Sequence, residues 1–140
     1  MIQTGPAEIS LYVNRHDEQR TAHLERMTLR LDGFASVNAP FRGGDVITKP
    51  LSFSGTQLEI NYSTSAAGNI RVELVGEENK PIEGYGVGEC SELIGDEIER
   101  VVSWNGSSNL SALAGRLMQV RFHMQDADLF SFRFAETAHP

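Results

Sequence analysis

Apolar side chains recur at every second residue along most of this chain, and that spacing strongly limits the fold class. One example is the series Leu58, Ile60 and Tyr62, which alternates with polar residues. A two-residue period is typical of a β-strand with one buried face. The chain is therefore predicted to be all-β. The segments that show the pattern are 8–13, 27–34, 42–55, 57–64, 69–76, 98–104, 117–125 and 128–134.

Turn signals separate these segments every 8–12 residues or so, which is typical of a sandwich of two antiparallel sheets. We therefore predict a single antiparallel β-sandwich domain, jelly-roll-like, over residues 1–140, with the module proper at about 8–135. Its last strand, 128–134, carries three alternating phenylalanines, which strict alternation would bury together on one face. They are Phe130, Phe132 and Phe134.

Two segments depart from the strand pattern. "SNLSALAG" predicts one short helical turn near 109–114, because Ser108 or Asn109 can cap its start and Gly115 can close its end. Residues 17–27 are polar and predict at most one turn of helix.

Charge and hydropathy exclude several partners. The formal net charge is −7, and the stretch 73–99 is rich in acidic residues, so we expect no nucleic-acid partner. No apolar run approaches the roughly 18 residues that cross a bilayer, so we expect no membrane partner. The opening residues show no basic segment followed by an apolar one, so we predict no secretion signal, and the localisation stays open.

Arginines inside the predicted strands have two interpretations. Cross-strand ion pairs on a solvated sheet face are the first, and recognition of an acidic ligand is the second. The arginines concerned are Arg30, Arg71, Arg121 and Arg133, with Glu59, Glu73 and Glu99 as candidate partners.

Trp104 is the single tryptophan. An exposed ring would favour a binding module, and a buried ring would favour a structural one. If Val102 points inward, so does Trp104, and a plug made by Leu110 and Leu113 would cover its ring. The alternative is a bulge that exposes the ring for a sugar to stack on. The candidate carbohydrate-binding residues are Tyr85, Trp104 and Asn105.

Other reactive side chains have structural interpretations. Cys90, the single cysteine, is predicted to be a buried apolar residue. Asp126 and Asp128 are predicted turn formers, and the alternative is a structural calcium ion held with the help of backbone carbonyls. We expect no other cofactor. Asp96 and Glu97 would point to opposite faces of a strand and make a poor catalytic pair.

Five segments together resemble the C-terminal β-sandwich module of bacterial proteins related to glycoside hydrolases. These segments are "LRLDGFASVNAP", "GGDVITKPLSFSG", "LEINYSTSAAGNIRVEL", "GYGVGECSELIGDEIERVVSW" and "LAGRLMQVRFHMQDADLFSFRF". In that family a five-bladed propeller, similar to that of invertase, levanase and arabinanase enzymes, precedes the sandwich and carries the catalytic carboxylates. The resemblance therefore implies an accessory module and transfers no catalytic residue.

The sequence thus predicts that the chain is not an enzyme. The first hypothesis is a non-catalytic module that binds a glycan or packs against a propeller domain. The second is a structural module that self-associates as a homo-oligomer through one sheet face. The third is a small enzyme that uses the acidic loop at 89–99.

Overall fold

The structure, a computed structural model, describes residues 1–137 and confirms the all-β antiparallel class. The chain divides into two compact units, Met1–Ala35 and Ser36–Pro140. Each unit is built around its own antiparallel sheet. The single domain predicted over residues 1–140 remains a prediction.

The first unit is a three-stranded sheet in the order β1-β2-β3. Strands β2 and β3 pair without a register break from Glu8↔Arg30 to Arg15↔His23. The helical turn considered for residues 17–27 is replaced by a turn and the start of β3, because His16 and Glu18 adopt positive φ angles that reverse the chain. The strands are β1 (Ile2–Gly5), β2 (Glu8–Arg15) and β3 (His23–Arg30).

The second unit is a five-stranded sheet that curls into a half-barrel. Its strand order is β4-β8-β6-β7, and β5 pairs with a separate part of β8. Two pairs of predicted strands are continuous: segments 57–64 and 69–76 form β6, and segments 117–125 and 128–134 form β8. The strands are β4 (Val37–Ala39), β5 (Gly44–Ile47), β6 (Gln57–Val75), β7 (Asp96–Val101) and β8 (Gln119–Ala135).

Strands β6 and β8 pair with each other along most of their length. Irregularities in the register accommodate the extra residues on either strand. Asn61 pairs with Ser131 but Tyr62 pairs with Leu129, so β8 has an extra residue at Phe130. The inward-facing positions therefore change parity there. The prediction that three alternating phenylalanines share one buried face is wrong, because the extra residue breaks the alternation at Phe130. All three rings are half-buried, and of the three Phe132 and Phe134 pack against the core.

The core of the second unit lies between the inward faces of β6 and β8 and the segments that follow β6. The largest side chains in it are fully buried, among them Tyr62, Phe122 and Trp104. The predicted helical turn is a 3-10 turn at Ser111–Leu113, and Leu110 and Leu113 are both buried. The N-cap of this turn is Leu110 and not Ser108 or Asn109, although the Asn109 side chain accepts the Ser111 N–H at 2.9 Å.

The outer face of the same sheet carries the cross-strand ion pairs that the sequence predicted. Arg121 donates to the Glu73 carboxylate at 2.9 Å. Arg133 donates to Glu59 at 2.7 Å and to Glu99 at 2.9 Å. Glu59 and Glu73 are 9% and 4% exposed, so these carboxylates depend on their arginines for a charged partner. This arrangement favours the structural interpretation of Arg121 and Arg133 over recognition of an acidic ligand.

Candidate functional site

Trp104 is a core residue. Its side chain is 2% exposed, and its indole Nε1–H donates to the Val72 carbonyl at 2.8 Å. Val102, Leu110 and Leu113 are buried in the same core cluster as Trp104, and the prediction that the two leucines cover its ring stays a prediction. Trp104 offers no exposed ring face on which a sugar could stack.

Tyr85 lies against the tryptophan and is the more accessible of the two rings. The ring centroids are 5.5 Å apart at an interplanar angle of 66°, an edge-to-face contact. Its ring is half-buried, and its O–H donates to the Asn109 carbonyl at 3.3 Å. A tight turn that includes Gly84 (φ 85°) places it there, and the Tyr85 N–H closes this turn on Ile82 at 2.9 Å. Of these two rings, Tyr85 is therefore the one that a ligand could reach.

Asn105 forms part of a tight backbone turn after Trp104. Trp104 and Ser107 exchange two backbone hydrogen bonds of 2.8 and 2.9 Å around Asn105 and Gly106. Asn105 has φ 50° and Gly106 has φ 80°, values that a two-residue hairpin turn with an Asn-Gly sequence adopts. Asn105 thus holds the turn beyond Trp104, with its own side chain exposed.

A polar cleft of about 440 Å³ includes the residue that accepts the Tyr85 O–H, and Tyr85 itself is not among its lining residues. The two share Asn109, whose carbonyl accepts the Tyr85 O–H and whose residue lines the cleft. Hydroxyl, amide and carboxylate groups give the cleft both donors and acceptors. The lining residues are Thr56, Ser108, Asn109, Ser111, Glu136 and Thr137.

The cleft is assembled from three separate parts of the chain. The buried Leu110 anchors the segment before the 3-10 turn, and its N–H donates to the Thr56 carbonyl at 2.7 Å. On the other side, the hydroxyl groups of Thr56 and Thr137 are 2.7 Å apart. The cleft is thereby fixed between the segment before β6 and the end of β8. The sequence did not predict this cleft. The only local indication was the group of serine and asparagine residues at 107–109.

Asp126 and Asp128 have structural roles in β8, and the calcium alternative stays a prediction. The Asp128 carboxylate accepts hydrogen bonds from Ser36 at 2.7 Å and Asn38 at 3.1 Å, across its pairing with β4. Asp126 adopts φ 44° at an irregularity of β8. Among residues 1–137 no three His, Cys, Asp or Glu side chains are grouped so that they could hold a metal ion. The contacts of Asp128 and the backbone conformation of Asp126 help to shape the strand.

Most glutamate side chains of the acidic segment 89–99, which the enzyme hypothesis uses, contact neighbouring groups. Glu89 accepts the Gly86 N–H at 2.8 Å. Three further glutamates face arginines: Glu92 at 3.7 Å, Glu97 at 3.3 Å and Glu99 at 2.9 Å. Exposed ion pairs of this kind contribute little to stability, and the absence of enzymatic activity stays a prediction.

His123 lies between two carboxylates, a contact that no sequence pattern indicated. Its Nδ1 is 3.0 Å from Asp45 Oδ1, and its Nε2 is 3.2 Å from Glu73 Oε2. In register, Asp45 is the direct partner of His123, and Glu73 is the direct partner of Arg121. An imidazolium ring can donate to both carboxylates. The histidine therefore connects β5, β8 and β6 on the outer face.

Cys90 is buried, as predicted, at 4% exposure. Its sulfur accepts the Val72 N–H at 3.2 Å. Burial raises the pKa of the Cys90 thiol because it disfavours the thiolate, and the Val72 N–H and the Arg71 charge offset this in part.

A pH dependence of stability follows from the raised thiol pKa. A raised folded-state pKa gives a contribution that is fully present below the ordinary thiol pKa and is lost as the pH rises through the folded value. We expect the wild-type chain to lose stability on alkaline titration relative to Cys90→Ala, measured by urea unfolding at a series of pH values. Parallel pH profiles for the two proteins would contradict this.

Comparison with known proteins identifies no relative: no family model, no curated protein and no solved structure matches the chain. The resemblance to a glycoside-hydrolase-associated module therefore depends on the five sequence segments alone. In the part of the chain that the structure describes, no helix has the length and apolar character that crossing a membrane requires. Any function has to be inferred from the chain's own side chains.

Proposed function

We propose that this protein is a non-catalytic β-sandwich module that binds carbohydrate in the polar cleft beside Tyr85. The observation that carries the proposal is the cleft itself, with hydroxyl, amide and carboxylate groups next to a half-buried aromatic ring. A sugar presents hydroxyl groups around a ring with apolar C–H faces, so it needs this combination of groups. The Tyr85 ring would contact the apolar face, and the cleft would receive the hydroxyls.

The contacts that hold Tyr85 and Asn109 in place support the proposal. Tyr85 packs edge-to-face on the buried Trp104, and the O–H of Tyr85 is fixed by the Asn109 carbonyl. Asn109 in turn accepts both the N–H and the hydroxyl of Ser111, at 2.9 and 2.7 Å. A site whose groups are already ordered loses less conformational entropy when a ligand binds.

The proposed jelly-roll-like sandwich and the accessory role have support from the sequence. Two-residue alternation and the antiparallel curled sheet are compatible with a sandwich. The resemblance to modules that accompany glycoside hydrolases favours a glycan as the ligand class. It supplies no hydrolytic residue, so the proposed role is recognition of the polysaccharide and not its cleavage.

The proposal is tested by screening the intact chain on a glycan array and by affinity electrophoresis in gels that contain soluble polysaccharides. We expect retention by at least one polysaccharide. Two variants should weaken it: Tyr85→Ala, which removes the aromatic ring proposed to contact the sugar, and Glu136→Gln, which changes an exposed cleft residue. Phe41→Ala is the matched control, because Phe41 is an aromatic residue that is 65% exposed and does not line the cleft.

Two outcomes would count against the proposal. Failure to bind any glycan on the array or in the gels would remove the carbohydrate function. Binding that both cleft variants leave unchanged, but that Phe41→Ala weakens, would place the site elsewhere. Urea unfolding of the Tyr85→Ala protein distinguishes loss of the site from loss of the fold.

A further inference from the structure

We infer that the hairpin loop between β2 and β3 binds a divalent transition-metal ion through the imidazole rings of His16 and His23. The loop begins after Arg15, the last residue of β2, and ends at His23, the first residue of β3. Both histidines are exposed, and their ring centroids are 5.6 Å apart at an interplanar angle of 80°. The inferred site lies wholly inside the first unit.

Thr21 contacts the same nitrogen of both rings. Its carbonyl oxygen is 2.9 Å from Nδ1 of His23, and its hydroxyl oxygen is 2.9 Å from Nδ1 of His16. Because a carbonyl can only accept, Nδ1 of His23 carries the proton, and in the neutral ring Nε2 carries the lone pair. The hydroxyl can accept from Nδ1 of His16 in the same way. Metal-binding histidines typically donate one ring N–H to such a partner and bind the ion through the other nitrogen.

The other nitrogen of each ring is available for an ion. Among residues 1–137, Nε2 of His16 and Nε2 of His23 have no hydrogen-bond or ion-pair partner. Two imidazoles that share an ion through bonds of about 2.0–2.1 Å place their ring centroids about 5–6 Å apart. The observed 5.6 Å lies in this range. No group of three His, Cys, Asp or Glu ligands forms in the described part of the chain, so water would fill the remaining coordination positions.

Backbone contacts order the loop that carries the two histidines. The Gln19 N–H donates to the His16 carbonyl at 3.1 Å, and the Ala22 N–H donates to the Gln19 carbonyl at 3.0 Å. His23 is held by its pairing with Arg15 at the end of the two strands. The rings are thus already close together without an ion, and a preorganised site loses less conformational entropy when it binds one.

The ligand type selects the class of ion. Imidazole nitrogens suit Zn²⁺, Cu²⁺ and Ni²⁺, whereas Ca²⁺ and Mg²⁺ prefer oxygen ligands. The affinity of a nitrogen site generally rises from Ni²⁺ to Cu²⁺ and falls again at Zn²⁺. The formal net charge of −7 also favours the approach of a cation. We therefore expect Cu²⁺ to bind more tightly than Ni²⁺ and Zn²⁺, and Ca²⁺ not to bind at this pair.

Isothermal titration calorimetry of the intact chain with the chloride salts of Cu²⁺, Ni²⁺, Zn²⁺ and Ca²⁺ tests the inference. We expect saturable binding of one Cu²⁺ per chain. His16→Ala and His23→Ala each remove one of the two ligands, so each should raise the Cu²⁺ dissociation constant by at least about tenfold. His123→Gln is the matched control, because His123 lies on β8 and contacts Asp45 and Glu73, so its Cu²⁺ affinity should match the wild type.

A second measurement does not depend on the folding of the variants. Cu²⁺ is paramagnetic, so a substoichiometric amount added to the wild-type chain should broaden the ring NMR signals of His16 and His23 before those of His123. A wild-type chain without saturable Cu²⁺ binding would overturn the inference. So would broadening of His123 first, or a double variant, His16→Ala with His23→Ala, that binds Cu²⁺ as tightly as the wild type.

Discussion

Replacing Trp104 by alanine is expected to lower the free energy of unfolding by about 3–5 kcal/mol, which is the usual cost of truncating a large buried aromatic residue. The indole is 2% exposed and is packed with Val102, Leu110 and Leu113 in the core. Removing it leaves a cavity and also removes the hydrogen bond to the Val72 carbonyl. Urea unfolding followed by far-ultraviolet circular dichroism would measure the loss.

Trp104→Phe is the control that separates the two contributions. It keeps an aromatic ring in the core but removes the Nε1–H, so the expected loss is smaller, at about 1–3 kcal/mol for the hydrogen bond that is no longer made. If Trp104→Ala changed the free energy of unfolding by less than about 1 kcal/mol, Trp104 would not be a core residue. A tryptophan that served as an exposed sugar platform would give that result.

Gly68→Ala is expected to destabilise the protein by about 1–3 kcal/mol or more, because the site has no space for a methyl group. A Cβ atom there would clash with the Asp126 carbonyl oxygen and would lie 2.6 Å from that of Gln125. Both contacts are with backbone, which cannot rotate away as a side chain can. The relevant measurement is the shift of the urea midpoint at constant m-value.

The matched control for this substitution is Gly88→Ala. Gly88 has no heavy atom within 4 Å of the added Cβ, and its φ angle is not in the left-handed region. Its expected effect is within about 0.5 kcal/mol of zero. Equal effects of the two substitutions would show that the close approach of Gly68 to β8 is not present in solution.

The sequence predicted strands well where alternation is uninterrupted, as in the segment that contains Leu58, Ile60 and Tyr62. It could not predict that β6 and β8 are each continuous, because residues 65–68 looked like a turn between two strands. In the structure those residues bulge out of β6 opposite Asp126, and the strand pairing resumes at Asn69↔Gln125. Such a break depends on the partner strand, which local sequence does not contain.

The candidate site was predicted in part. Tyr85 is one of the three candidate carbohydrate-binding residues of the sequence analysis, and in the structure its ring is more accessible than that of Trp104. The polar cleft could not be predicted, since Thr56, Ser108 and Glu136 are brought together only by the packing of distant segments. The Asp45–His123–Glu73 contact was missed for the same reason, because it depends on registers between three strands.

The most direct test of this account is the fluorescence of its single tryptophan, since the assignment of binding to Tyr85 and the cleft requires Trp104 to be inside the core. Native protein is expected to show blue-shifted emission that iodide does not quench, and urea unfolding should shift the emission to the red and make it quenchable. Native emission like that of free indole in water, with full quenching by iodide, would contradict the buried position of Trp104.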